Sequence, residues 1–162
     1  MKTNQDTSVT LRPARPEDEA FLSALYASTR AEEVAAWGWT AAQQETFLRM
    51  QFQAQQQAYQ WQYPGASYQI ILREGQAVGR LIVYRTEAEV RLVDIALRPE
   101  TRGAGLGTSL VQALLDEARQ AGKPVRLHVT PTNRARQLYA RLGFELVSEL
   151  PSHLLMEWSP VA

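Results

Sequence analysis

The 162-residue chain has no cysteine and only two histidines, His128 and His153. The missing thiol excludes a disulfide framework and any reaction that passes a group through a protein thiolate, and no metal is expected. Net charge is lacking as well. Seventeen basic residues balance seventeen acidic ones, so no global field draws the chain to nucleic acid or to an anionic membrane. No apolar run approaches the ~18 residues needed to cross a bilayer. Residues 1–8 are polar, lack the apolar stretch of a secretion signal and read as a flexible N-terminus. These absences lead us to expect a cytoplasmic protein with a small-molecule or protein partner, no nucleic acid and no membrane. With no internal repeat and no linker, residues 9–162 read as one domain.

The pattern that is present alternates strand-like and helix-like segments. Val9–Arg12 reads as a short edge strand closed by Pro13 and Pro16, and Glu17 to about Ala35 as a helix with an apolar stripe of Phe21, Leu22, Leu25 and Tyr26. Thr40 caps a second helix running to about Tyr59. Ser67–Leu72 and Val78–Tyr84 form a predicted hairpin through Glu74-Gly75-Gln76, followed by a strand over Val90–Leu97. Thr108–Ala121 is helical, with Leu110, Val111, Leu114, Leu115 and Ala118 on one face. A strand over Val125–Val129, a helix from about Asn133 to Leu142, and strands over Phe144–Leu150 and His153–Trp158 complete the chain. The order predicts an α+β fold with a mixed central β-sheet flanked by helices on both faces.

Between the third central strand and the next helix lies Arg102-Gly103-Ala104-Gly105-Leu106-Gly107-Thr108. Three glycines at alternate positions allow φ > 0 and let several backbone N–H groups point into one space, and the following helix adds its positive end. A loose surface turn needs one glycine, so the run reads as a cradle for a phosphate or pyrophosphate. A nucleotide P-loop requires a lysine between Gly107 and Thr108, which is absent. A dinucleotide fingerprint requires glycine where Thr108 stands and an acidic residue late in the next strand, and Val125–Val129 supplies none.

The run resembles the acetyl-CoA loop of the GNAT acyltransferases, Arg/Gln-x-x-Gly-x-Gly/Ala, with Arg102, Gly105 and Gly107 at the pattern positions. Ile95-Ala96-Leu97-Arg98-Pro99-Glu100 is similar to the strand end that leads into that loop, and Leu138-Tyr139-Ala140-Arg141-Leu142-Gly143-Phe144 to the later helix-to-strand motif. The resemblance implies the GNAT fold from Val9 to Trp158. It implies an N-acyltransferase moving an acetyl group from acetyl-CoA to a primary amine, either a small molecule or a peptide N-terminus, by direct attack in a ternary complex. The alternative is a non-catalytic acyl-CoA-binding or interaction module of the same fold. On the family pattern the backbone of Ile95, Ala96 and Leu97 runs along the pantetheine arm, the amides from Gly103 to Thr108 hold the pyrophosphate, and the Leu97 amide faces the thioester carbonyl.

The resemblance also implies that Tyr139 protonates the departing thiolate; the other reading of the residue is a helix tyrosine packed on the sheet beside Leu138. His128 points away from the apolar face of Val125, Leu127 and Val129. It matches the place of a base in some family members, against the alternative of a strand histidine bonded to a backbone carbonyl. Asp94, a carboxylate inside an apolar strand, must find a partner or water. The resemblance makes it substrate-binding, holding the amine, and the other reading pairs it with Arg91 or Arg126. Trp37, Trp39 and Tyr59–Tyr63 are candidates for the acceptor wall. The family's pantetheine-contacting asparagine stands seven residues before the tyrosine, whereas Asn133 stands six before Tyr139; a loop shortened by one residue restores its role. A homodimer is left open as the assembly.

Overall fold

The computed structural model describes residues 9–103 and 105–160. Seven strands form one mixed sheet: β1 (Val9–Pro13), β2 (Ser67–Arg73), β3 (Gln76–Arg85), β4 (Val90–Leu97), β5 (Val125–Val129), β6 (Glu145–Glu149) and β7 (Leu154–Trp158), in the hydrogen-bonded order β1-β2-β3-β4-β5-β7-β6. The helices are α1 (Glu19–Thr29), α2 (Ala31–Ala35), α3 (Ala41–Gln62), α4 (Leu106–Ala121) and α5 (Ala135–Arg141). The chain groups into two compact units, one comprising the residues up to Ile82 with Asp94–Arg102, the other Val83–Val93 with the residues from Gly103 onward. Among the described residues no helix is long and apolar enough to cross a membrane.

In the first unit β1 pairs antiparallel with β2 from Val9 opposite Arg73 to Pro13 opposite Gln69. Proline, with no N–H to give, falls at the strand's last position. The β2–β3 connection is the two-residue turn Glu74-Gly75, both left-handed at φ 52° and 82°, the conformation that matches strand twist in a tight hairpin. Leu22, Phe52 and Ile70 make a buried cluster with Phe21, Tyr26 and Leu72 packed against it. Helix α3 opens with a capping box in which the Thr40 hydroxyl accepts from the Gln43 amide at 3.1 Å and the Gln43 side chain accepts from the Thr40 amide at 2.9 Å.

The helix predicted from Glu17 to about Ala35 is instead broken at Arg30, whose φ/ψ is −116°/8°. Ser28 and Thr29 cause the break. Their hydroxyls donate to the carbonyls of Leu25 and Tyr26 at 2.6 and 2.7 Å, and the Arg30 amide turns back to Ala27, so side chains compete with the helical ladder.

In the second unit β4 and β5 run parallel, from Val90 opposite Val125 to Leu92 opposite Leu127. β7 pairs antiparallel with β5 and β6, with a register shift between Leu146 and Ser148. Val125, Leu127 and Val129 are buried while Arg126 and His128 are not, as strand alternation predicts. Helix α4 buries Leu106, Val111, Leu114, Leu115 and Ala118 and ends at left-handed Gly122 (φ 69°), whose N–H returns to Ala118 and Arg119.

Candidate functional site

The loop after β4 is shaped by a short 3-10 turn over Pro99–Thr101, where the buried Thr101 hydroxyl donates to the Arg98 carbonyl at 2.8 Å. Arg102 then sends Nε back to the Leu97 carbonyl at 3.2 Å, leaving the rest of its guanidinium exposed. Gly103 and Gly105 are both left-handed, at φ 83° and 80°. Ala104 lies outside the described residues. A β-carbon added at Gly103 or Gly105 meets nothing within 4 Å, so glycine is required there for its backbone conformation, and the space before the loop is open.

Gly105 is the N-cap of α4, and no side chain caps the helix. The first intrahelical bond runs from the Ser109 amide to the Gly105 carbonyl at 3.0 Å. Among the described residues, no carbonyl partners the amides of Leu106, Gly107 and Thr108, which begin the helix. No acidic residue stands in the first turn of this 16-residue helix, so no side chain of that turn compensates the positive end of its dipole. The three glycines allow a positive φ, and Gly107 does not take it, because the helix starts at Leu106, two residues before the predicted Thr108, and Gly107 already has helical geometry. The cradle is thus two left-handed glycines followed by the first three helical amides.

In the first unit, Asp94 is not paired with Arg91 or Arg126. Its Oδ2 accepts from Nε of Arg80, on β3, at 2.6 Å. Arg80 is 5% exposed. Its Nη1 and Nη2 donate to the side-chain oxygens of Gln56 and Gln55 on α3, and its guanidinium lies 5.8 and 5.9 Å from the ring centres of Phe52 and Tyr59. Burial and the Asp94 charge raise the Tyr59 pKa, so its phenol stays protonated. Arg80 was missed in the sequence although it carried a signal: a cation within Val78–Tyr84, a strand otherwise apolar enough to be core, has to be answered by a neighbour. Trp37, Trp39 and Phe47 pack edge to face at 5.1–5.4 Å with Arg30 over two of the rings. These tryptophans are occupied with one another.

In the second unit, Arg91 and Arg126, the alternative partners considered for Asp94, converge on Glu89. Its carboxylate meets Arg91 Nε at 3.0 Å and Arg126 Nη1 at 2.9 Å, and Arg126 Nε also reaches Glu157 at 2.7 Å. Burial works to raise the Glu89 pKa, and the bonds from Arg91 and Arg126 more than offset it, holding the group below its usual range. Arg91 Nη1 also stands 3.3 Å from Nδ1 of His128. Guanidinium only donates, so Nδ1 is the acceptor and the neutral ring carries its hydrogen on Nε2. The other ring contact of His128 is edge to face with His153 at 4.7 Å. Partial desolvation of the ring first, then the charges of Arg91 and His153, push the His128 pKa below its ordinary 6.5. Tyr139 is buried on α5 with its ring 5.4 Å from that of Phe144. Asn133 accepts from the Ala135 amide at 2.8 Å, so its side-chain oxygen opens α5.

A model of the acetyltransferase (GNAT) family matches residues 18–144. The chain belongs to the GNAT family. Among solved structures, this GNAT chain resembles the PaiA N-acetyltransferase of Thermoplasma acidophilum in complex with coenzyme A, with a TM-score of 0.69 at 16% identity over 94% of this chain and 99% of that one. It resembles Ard1 from Thermoplasma volcanium at a TM-score of 0.67 and 21% identity, over 96% and 99% of the two chains. Likeness at such identity concerns the fold. Two curated relatives, L-methionine sulfoximine/L-methionine sulfone acetyltransferases of Pseudomonas paraeruginosa and Pseudomonas aeruginosa, are 30% identical over 92 residues, which is 50% of this chain and 54% of theirs. This GNAT chain thus spans about half the length of the curated relatives it matches.

Proposed function

We propose that this GNAT protein transfers an acetyl group from acetyl-CoA to a primary amine, of a small molecule or a peptide N-terminus, by direct attack within a ternary complex. The observation that carries the reading is the start of α4, which no side chain caps and where left-handed Gly103 and Gly105 precede the first helical amides, those of Leu106, Gly107 and Thr108. Such a cradle suits a pyrophosphate, which a helix N-terminus holds by N–H donation and by its dipole. The family pattern also includes the exposed Arg102, the residue before Gly103.

Acetyl-CoA would supply a thioester whose carbonyl carbon is open to an amine. We assign the half-buried backbone of Ile95, Ala96 and Leu97 to the pantetheine arm, and the Leu97 N–H to the thioester oxygen, where one oriented donor is commonly worth ~3 kcal/mol. Asn133 keeps its side-chain N–H₂ for the same arm, since only its oxygen is used by Ala135. A primary amine is mostly protonated at neutral pH and has to lose a proton before it attacks. His128, neutral there because its pKa is lowered, is the base we assign, acting through Nδ1 once the long Arg91 contact gives way. Tyr139 is the acid we assign to the departing thiolate. That the Pseudomonas relatives are named as acetyltransferases supports the reaction class.

The test is release of free thiol from acetyl-CoA by the purified protein across a panel of amines. Acceptor-dependent release is expected. Saturable acetyl-CoA binding with no release for any amine would contradict the proposal.

A further inference from the structure

The first unit holds a cleft of about 540 Å³ under α3, against strands β2 and β3, a volume suited to a small metabolite. Leu22 and Phe52 give it an apolar side; Gln56, Tyr68, Gln69 and Arg80 give it a polar one. Two of these polar groups have unspent hydrogen-bonding capacity.

Arg80 carries five N–H donors. One goes to Asp94, one to Gln56 and one to Gln55, which leaves one N–H on each Nη without an acceptor among the described residues. The guanidinium is held in place by those three bonds and by the rings of Phe52 and Tyr59. The Tyr68 hydroxyl is buried and has no hydrogen-bond partner. Folded proteins seldom leave such a group unanswered, and each exception calls for a cause. Both vacancies are donors and both line one cleft, so a single acceptor with several lone pairs would answer them. A carboxylate has two oxygens and about four lone-pair sites in a plane that matches a guanidinium.

The placement ties the cleft to the reaction. Asp94, which orients Arg80, stands on β4 immediately before Ile95, Ala96 and Leu97, the backbone assigned above to the acyl donor. Asp94 has its Oδ2 committed to a buried cation, so its charge is already answered and an alkyl polyamine gains little from it. The remaining charged side chains at the cleft are Arg15 and Glu19, one of each sign and both exposed. Its other polar side chains include several neutral glutamines.

We propose that this cleft binds the carboxylate of the acceptor through Arg80 and Tyr68, so that the acceptor is a small amino acid-type molecule carrying a carboxylate near the amine to be acetylated. This rests on the acetyltransferase reading and narrows its acceptor.

The experiment compares thiol release from acetyl-CoA with L-methionine, L-glutamine and L-phenylalanine, each against its own primary carboxamide, with spermidine as a cationic control. The carboxamides have the less basic amine, so intrinsic reactivity at neutral pH favours them. A carboxylate subsite reverses that order, with kcat/KM at least ~10-fold higher for the acid of the best pair, the worth of one charge-assisted hydrogen bond. Tyr68→Phe removes only the unpartnered hydroxyl. It is expected to fold normally, to raise KM for the amino acid roughly 5-fold, and to leave kcat and the KM for acetyl-CoA unchanged. Carboxamides or spermidine used as well as the acids would overturn the carboxylate assignment and leave acetyl transfer standing. An unchanged amino-acid KM in Tyr68→Phe would overturn the placement in this cleft. No release with any acceptor, with acetyl-CoA still bound, would overturn the acetyltransferase reading and this inference with it.

Discussion

Arg80 on β3 holds Asp94 on β4 through a 2.6 Å bond from Nε to Oδ2, the side chains being 6% and 24% exposed. The carboxylate that the sequence offered as an amine-binding group is therefore also the counter-ion of a buried cation. Asp94→Ala leaves that cation unpaired and is expected to cost about 3 kcal/mol of stability. Urea denaturation at pH 7 measures it. A loss below about 0.5 kcal/mol, ordinary for an exposed site, would show that the pair is not structurally important.

Gly79 lies directly under the strand end assigned to the acyl donor. A β-carbon there would overlap the Ala96 carbonyl oxygen and approach Leu97 Cδ2 to 2.8 Å. Since backbone cannot step aside as a side chain can, Gly79→Ala is expected to destabilise by about 2 kcal/mol or more. It should also weaken acetyl-CoA binding by displacing Ala96 and Leu97. Thermal unfolding and calorimetric titration check the two effects, and wild-type values in both would show that β3 and β4 are not in close contact at this point.

Asp18 opens α1 and is tied to Arg12 by two bonds of 2.8 and 2.9 Å and to the Arg15 amide at 2.8 Å. The Arg12 bond is the main cause that lowers its pKa to about 2. A depressed carboxylate stabilises the fold above its unfolded pKa, near 3.8, and that stability is lost as pH falls toward 2. Asp18→Asn is expected to be less stable than wild type by about 1–2 kcal/mol at pH 6, with the gap closing between pH 4 and pH 2. A gap of constant size across that range would exclude the ion pair as its source.

His128 has a lowered pKa in the folded chain, so its neutral form is favoured. Two consequences share that sign. As base it places the rising limb of kcat/KM below pH 6.5, and His128→Gln is expected to flatten that limb. Folding stability should also fall as pH drops from 6.5 toward the lower folded value, a loss that His128→Gln lacks. An identical pH–rate profile in the variant would dismiss His128 as base, whatever happens to stability. Tyr139→Phe is expected to lower kcat at least ~10-fold with acetyl-CoA affinity intact, and full activity would leave Tyr139 as a packing residue against Phe144.

Much of the fold was legible because local chemistry decided it. Thr40 with Gln43, the turn at Glu74-Gly75, the alternation of β5 and the stop at Gly122 are all set by residues within a few positions of one another. The break at Arg30 was missed because Ser28 and Thr29 act through hydroxyl bonds that a hydrophobic stripe does not register. The site was less legible where partners are far apart in sequence. Asp94 and Arg80 are separated by 14 positions, and Arg126 and Glu89 by 37, so strand pairing alone brings them together. The glycine run was readable as an anion cradle, but which glycines need φ > 0 depended on where the helix begins, a boundary that sequence pattern places only approximately.

The most direct measurement is a calorimetric titration of acetyl-CoA into the wild-type protein and into Gly105→Asp. At φ 80° with open space before it, Gly105→Asp puts a strained side chain and a negative charge where the pyrophosphate is assigned. One saturable site is expected in the wild type and an affinity at least ~100-fold weaker in the variant, with both proteins folded by circular dichroism. Equal affinity in the two proteins would mean that the start of α4 does not hold acetyl-CoA.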